Sequence, residues 1–348
     1  MVSRNHAESN PTAPSGTDSR QQLPKKKRGS RDNVRASKLT LLGPWAVPLL
    51  FVALCVVFSV AAPDTFATTT NVRVMIVGQA TILLLSIAIL IPLRAGDFDL
   101  SVSAVMVLSA CVLGYLTAHG YSAFTACLVA LLIGPIIGFV NGMLVVRIGI
   151  DSFIATLGTL TILVGLSSLV SGGALMTTVP AELLNFSRLS VLDLTMSVWL
   201  GWGIALVVYY VFEWTPAGRY LLFIGNNTEA ARLAGLRVNA YRQGMYVVSG
   251  TLSALAGLLV AGSLGSIDPT ASGAYLLPPI TAAFLGASAI KLGRFNVVGT
   301  LVAIYLVAVG VTGLQMLGLE SWIADVFNGT LLVFAVGLTI FLRRGSSK

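Results

Sequence analysis

Residues 122–146 read SAFTACLVALLIGPIIGFVNGMLVV, twenty-five positions without a charged side chain. Coiled as a helix rising 1.5 Å per residue, such a run is long enough to cross the roughly 30 Å of hydrocarbon in a bilayer. Gly134, Gly138 and Gly142 recur at every fourth position, a doubled small-xxx-small stripe of the kind that lets two helix backbones approach closely in lipid. Asn141 adjoins the stripe. An amide in hydrocarbon needs a partner, either a neighbouring helix or a solute in a pathway.

Outward from this segment the pattern repeats. Further apolar runs lie at about 44–62, 74–93, 100–118, 153–172, 194–213, 243–263, 275–290, 297–316 and 323–342. They predict an all-α polytopic membrane protein with about ten transmembrane helices. The run at 275–290 is short and carries Pro278-Pro279, which predicts a broken or tilted helix. The composition agrees: of 348 residues 55% are apolar and only 10% charged, with a mean hydropathy of +0.86, whereas soluble domains carry about 25% charge.

The net charge of +8 is unevenly placed. Residues 1–42 hold nine of the 22 Lys and Arg against Glu8, Asp18 and Asp32, a net +6, in a Ser-, Pro-, Asn- and Gln-rich stretch without apolar periodicity. That composition predicts a disordered basic tail. The Lys25-Lys26-Lys27-Arg28 run beside a first span reads as a cytoplasmic anchor, in preference to a nucleic-acid patch or a cleaved leader. With both termini in the cytosol, the inner side also receives Arg94, Arg147, Arg219, Arg232, Arg237, Arg242, Lys291, Arg294, Arg343, Arg344 and Lys348, and the outer side only Arg73 and Arg188. Eleven against two, without the tail, is a strong positive-inside bias and supports an even number of spans. The expected organisation is thus a tail over 1–42, a membrane domain over 43–343 with an inner loop at 214–242, and a short cytoplasmic tail at 344–348. The outer connection at about 173–193 is long enough for a short surface helix.

Several chemistries find no support. Cys55, Cys111 and Cys127 fall inside apolar runs without paired spacing, and His6 and His119 are far from any metal constellation. No G-x-x-x-x-G-K-[ST] phosphate loop occurs, and no Ser/His/Asp or paired-Asp arrangement lies inside a span. Neither an enzyme nor a cofactor is expected. A carrier driven by ions usually keeps ionisable groups near the midplane. Here Asp97, Asp99 and Asp151 lie at the inner boundary, Asp325 lies near the outer one, and Gln79, Asn141, Gln315 and Asn328 are uncharged. Energy is therefore expected from a partner.

The inner loop offers a docking piece. In Gly225-Asn226-Asn227-Thr228-Glu229-Ala230-Ala231-Arg232-Leu233-Ala234-Gly235, Asn226 is placed to cap a helix whose third residue is Glu229. Arg232 suits the last turn, and Gly235 supplies a left-handed stop. The expected two-turn helix presents Ala230, Ala231 and Leu233 to something outside the bilayer.

Three stretches resemble a known family, the permease subunit of bacterial ABC importers for monosaccharides (the ribose, xylose and autoinducer-2 group). Gly96-Asp97-Phe98-Asp99-Leu100-Ser101-Val102 is similar to its G-x-[IF]-D-L-S-V signature. Asn141-Gly142 with Phe153-Ile154-Ala155-Thr156-Leu157-Gly158-Thr159-Leu160 is similar to its N-G and F-I-x-T-L-G-T segment. Gly218-Arg219-Tyr220, Ile224-Gly225-Asn226-Asn227 and Glu229 to Gly235 resemble its G-R-x…I-G-x-N-x-x-A-A-R-x-x-G loop. The likeness covers about residues 45–342. It implies a second permease subunit, identical or related, two cytosolic ATPase subunits that consume the ATP, and an extracytoplasmic solute-binding protein, all at the bacterial cytoplasmic membrane. Gly225, Asn226, Asn227, Glu229, Ala230, Ala231, Arg232 and Gly235 would then be the ATPase-coupling residues. For Gly96, Asp97, Asp99 and Ser101 the expectation is an inner boundary or gate, with an ATPase contact also open for Asp97 and Asp99, beside the plainer reading of those two acids as boundary carboxylates, hydrated or capping the third helix. For Gln79, Asn141, Thr156 and Thr159 it is pathway lining, beside interhelical hydrogen bonding. A stand-alone carrier or channel, or a permease for branched-chain amino acids, remains the alternative.

Overall fold

The computed structural model describes residues 43–346, with side chains described for 44–337. The basic tail at 1–42 and Ser347-Lys348 lie outside the described residues. Fourteen α-helices follow one another: α1 Ala46–Ala61, α2 Thr69–Gly78, α3 Ala80–Arg94, α4 Val102–Ala118, α5 Ala123–Gly142, α6 Ser152–Ser171, α7 Ala181–Arg188, α8 Met196–Trp214, α9 Pro216–Asn226, α10 Thr228–Leu233, α11 Val238–Leu264, α12 Leu277–Ala287, α13 Val297–Met316 and α14 Trp322–Ser346. The described strands are β1 Ser190–Val191 and β2 Leu194–Thr195, paired antiparallel.

Helices cover every apolar run. By length and composition five of them can cross a membrane, α5 with its extension to Ile148, α6, α8, α11 and α13, and a sixth if α2 and α3, bent by 41° at Gln79, form one broken span. The other apolar helices run 10–17 residues, with α14 counted over Trp322–Gly337, the part whose side chains are described. The chain is thus an all-α, multi-pass membrane protein. Pro278 and Pro279 do not break a helix; they stand at the start of α12, where the missing N–H costs nothing and the fixed φ suits the first turn. The long connection at about 173–193 does contain a short helix, α7.

Helix ends follow local chemistry. Ser122, Asp151 and Asn296 cap α5, α6 and α13 by accepting from Thr125 N, from Phe153 N and Ile154 N, and from Gly299 N. Each cap satisfies amides that the first turn leaves without partners. α3 is buried on all sides from Leu83 to Arg94, which is why its sequence is apolar all round rather than on one stripe. It is the central post of the bundle.

The glycine stripe of α5 packs on α11. A Cβ on Gly134 would lie 2.3 Å from Gly250 O, and one on Gly138 would lie 2.2 Å from Tyr246 O. Backbone thus meets backbone at these crossings, and any side chain would force the helices apart.

Candidate functional site

The connection between α3 and α4, Gly96-Asp97-Phe98-Asp99-Leu100-Ser101, is held on every side. The Asp97 carboxylate accepts two hydrogen bonds from Arg242 of α11, from Nε at 2.7 Å and Nη2 at 2.6 Å. Asp99 Oδ1 accepts from Ser101 N at 3.1 Å and Ser101 Oγ at 2.6 Å, and its Oδ2 accepts from Ser249 Oγ at 2.7 Å. The backbone is tied as well. Phe98 N donates to Ser152 Oγ at 3.1 Å, Leu100 N donates to Thr156 Oγ1 at 3.1 Å, and Phe98 O accepts from Tyr246 OH at 3.2 Å.

Asn141 extends the network across α5. Its Nδ2 donates to Ser101 Oγ at 2.8 Å, and its Oδ1 accepts from Thr159 Oγ1 at 2.7 Å. Asn141, Thr156 and Thr159 therefore meet Asp99 and Ser101 in one polar cluster bound by α5, α6 and α11. Burial pushes the Asp99 carboxyl up from its ordinary range, against the opposing pull of the hydrogen bonds from Ser101 and Ser249.

One expectation needs correction here: Asp97 and Asp99 are only 6% and 2% exposed, so neither is a hydrated boundary carboxylate, although Asp99 does accept from the Ser101 amide at the start of α4. The two acids hold the connection against α11 instead. Gln79 lies apart from the cluster: it sits at the α2–α3 bend and lines a separate cavity of about 200 Å³ with Pro278, Thr312 and Asn328.

The loop at 214–242 reaches the same connection from the other side. α10 is capped by Asn227, whose Oδ1 accepts from Ala230 N at 2.9 Å, and not by Asn226, which is the last residue of α9. Asn227 has the extended backbone a cap requires, with φ −158°. Arg232 Nη1 donates to Glu229 Oε1 at 2.9 Å across one exposed turn. Ala231 is fully buried rather than presented outward, Ala230 is half-buried, and Leu233 is 89% exposed. Gly235, with φ +80°, stops the segment.

Gly225 rests directly on the end of α3. A Cβ there would lie 2.5 Å from Arg94 O, and one on Gly96 would lie 3.4 Å from Gly225 Cα. Arg94 itself is buried and donates to three carbonyls, Gly218 O at 3.2 Å, Phe295 O at 3.0 Å and Phe212 O at 3.0 Å, with its guanidinium 4.3 Å from the Phe212 ring centre. Glu213 lies 3.9 Å from Arg94 and also pairs with Lys291. A continuous chain of contacts thus runs from α10 through α9 to Gly96 and on to α5, α6 and α11.

Sequence reading missed Arg94, Ser152, Arg242, Tyr246 and Ser249 as members of the site. One signal was present: Arg242, Tyr246 and Ser249 recur at i, i+4 and i+7, a polar stripe on one face of α11. Among the described residues no group of three or more His, Cys, Asp or Glu could hold a metal ion.

Asn141→Leu is expected to cost only about 1 kcal/mol, near the average for a hydrogen bond between membrane helices. Ser101 Oγ keeps its bond to Asp99, and Thr159 Oγ1 keeps Ala155 O at 3.0 Å, so no donor is orphaned. Unfolding in mixed micelles checks this. A loss above about 3 kcal/mol, the upper range for leaving a buried polar group unpaired, would mean that Asn141 carries more than these two bonds.

Known proteins share the sequence over most of its length. The chain is 28% identical over 293 residues to the ribose import permease protein of Haemophilus influenzae, covering 82% of this chain and 90% of that protein. It is 29% identical over 311 residues to the fructose import permease protein of Rhizobium meliloti, covering 86% of each. It is 30% identical over 268 residues to the autoinducer 2 import system permease protein of Yersinia pseudotuberculosis, covering 77% of this chain and 76% of that one. No solved structure matches. The family described as branched-chain amino acid transport system / permease component matches residues 72–336, which contain the polar cluster, the inner loop and the helices that join them, and the chain belongs to that family.

Proposed function

We propose that the chain is the membrane-spanning permease subunit of an ATP-driven, binding-protein-dependent importer that carries a monosaccharide or similar polar solute across the bacterial cytoplasmic membrane. In this reading ten helices span the bilayer and both termini are cytosolic. A second permease subunit, two cytosolic ATPase subunits and an extracytoplasmic solute-binding protein complete the assembly. The solute class follows the ribose, fructose and autoinducer 2 import permeases to which the chain is similar.

The observation that carries the mechanism is the seating of Gly225 on Arg94 and Gly96. α10 is short and capped and ends in an exposed leucine, so an ATPase pressing on it would move a rigid piece. Through Gly225 that push reaches the connection clasped by α5, α6 and α11. Asp97, Asp99, Ser101, Asn141, Thr156 and Thr159 then act as one latch whose opening and closing sets the inner gate. Packed helices change between discrete arrangements rather than bend continuously, which suits an inward–outward alternation.

ATP-dependent uptake of a monosaccharide by proteoliposomes holding the chain with its ATPase and binding protein is the expected result. Uptake by the chain alone under an ion gradient would overturn the proposal. Leu233→Asp and Arg232→Glu are expected to cut ATPase co-purification and uptake about thirtyfold, as loss of a central interface residue does at about 2 kcal/mol. Stability should barely change, because exposed ion pairs contribute at most about 1 kcal/mol. Full ATPase association in both variants would remove the docking role of α10.

A further inference from the structure

Beside α10 the inner end of the bundle holds a cleft of about 760 Å³, the largest of the cavities described. One wall is the end of α5 and the turn that follows it, with Phe139, Met143, Val146 and Arg147; the other carries Arg232 and Arg237. Three arginines therefore line one space, and no Asp or Glu is among the residues that line it.

The charges are not all matched. Arg232 pairs with Glu229, while Arg147 and Arg237 enter no ion pair among the described residues. The nearby acids are engaged elsewhere: Asp97 is held by Arg242, and Asp151 Oδ1 accepts from Phe153 N and Ile154 N. The 27-residue α11 also begins at this cleft, directly after Arg237, and adds the positive end of its dipole.

The apolar side has an order of its own. Phe139, Met143 and Arg147 follow one another at four-residue spacing, and Phe139 and Met143 are 55% and 48% exposed. α5 continues as a π-helical turn, Met143–Ile148, a wide turn that is rare and concentrated at functional sites. Moving along this face, two exposed apolar groups give way to a cation, and across the cleft to a second and a third. A free phosphate needs neither the volume nor the apolar wall.

We propose that this cleft binds an anionic phospholipid of the inner leaflet, its acyl chain along Phe139 and Met143 and its phosphate between Arg147 and Arg237. The proposal is independent of the solute but rests on the topology of the proposed reading, which puts the cleft on the inner side. Its consequence is mechanical: a headgroup held between the end of α5 and the start of α11 braces the surface against which α10 stands.

The test uses the full-length purified chain, stripped of lipid in detergent, with phosphatidylglycerol as probe, phosphatidylcholine as the neutral match and inorganic phosphate as the free anion. Native mass spectrometry reads the bound lipid. Phosphatidylglycerol is expected to bind at least tenfold more tightly than phosphatidylcholine. Arg147→Gln/Arg237→Gln should weaken it about thirtyfold, corresponding to about 1 kcal/mol for each basic residue near an anionic lipid surface. Arg147→Lys/Arg237→Lys should keep most of the preference, and Arg73→Gln, on the other side of the bilayer in the topology used here, should leave it unchanged. Equal binding of the two lipids, or undiminished phosphatidylglycerol binding in the double Gln variant, would sink the proposal. Displacement by millimolar inorganic phosphate would make this a free-anion site, and a cleft that takes no phosphatidylglycerol yet is shielded by the cognate ATPase would make it a protein interface; either result overturns the lipid assignment.

Discussion

Arg242→Ala is expected to destabilise the folded chain by about 3–5 kcal/mol, the range for stripping one partner from a buried ion pair. Asp97 has an 8% exposed side chain and Arg242 a 20% exposed one, and the guanidinium meets both carboxylate oxygens at 2.6 and 2.7 Å. Without Arg242 the carboxylate remains between α3 and α4 in a place that water barely reaches. Its desolvation is then uncompensated, and the connection it sits in loses its tie to α11. The pair as a whole is worth far less than this loss, since the attraction between the charges is largely offset by the cost of burying them. The double variant Asp97→Leu/Arg242→Met should accordingly recover most of the stability, within about 1–2 kcal/mol of the wild type. A double-mutant cycle by unfolding in mixed micelles measures both. If Arg242→Ala alone loses less than about 1 kcal/mol, the value of a surface pair, then the ion pair does not hold the connection. Uptake separates stability from mechanism: on the latch reading, the double variant folds but transports poorly, because the polar contact that must break and reform has been replaced by a permanent apolar one.

Why were some of these features legible in the sequence and others not? The helices were, because hydrocarbon dictates both their length and their lack of charge. Gly134 and Gly138 announced a close approach, but its partner surface on α11 is more than a hundred residues away, and Gly250 stands in no comparable stripe. Asn141, Thr156 and Thr159 were visible as polar groups in apolar helices. That they converge on Ser101 and on the Leu100 amide depends on how α5 and α6 cross the start of α4, which no local spacing encodes. Arg242 looked like one of many inner cations; its bond to Asp97 spans 145 positions. The cap of α10 shows the limit at short range. Asn226 and Asn227 are both good capping residues, and local propensity does not choose between them. Gly225 is pressed on Arg94 while still within α9, so the helix runs one residue further and Asn227 becomes the cap. Ala231 was misplaced for the same reason: in a helix of one and a half turns, the buried face is set by what the loop rests on.

Gly225→Val is expected to reduce uptake at least tenfold while leaving ATPase association intact. An added Cβ would stand 2.5 Å from Arg94 O and 2.9 Å from Ala95 C. These are backbone atoms at the buried end of α3, so the strain cannot be relieved by rotating a side chain. Either α9 lifts away from Gly96 or α3 shifts toward the cluster. α9 is the freer of the two, because α10 beyond it stands at the surface and Leu233 is almost fully exposed. Lifting α9 costs about 1–3 kcal/mol, as overpacking generally does, which the whole bundle can tolerate. On the proposed coupling route the contact cannot, since a gap between Gly225 and Gly96 would turn a close link into a loose one. Gly244→Ala is the matched control, for its Cβ meets nothing within 4 Å, and it should behave as wild type. The informative readout is the ratio of solute moved to ATP hydrolysed in proteoliposomes with all partners present. A fall in that ratio with ATP turnover preserved locates the defect in transmission. Loss of both activities together would mean that the ATPase no longer docks, and wild-type uptake in Gly225→Val would show that the push on α10 reaches the gate by some route other than the seat on Arg94.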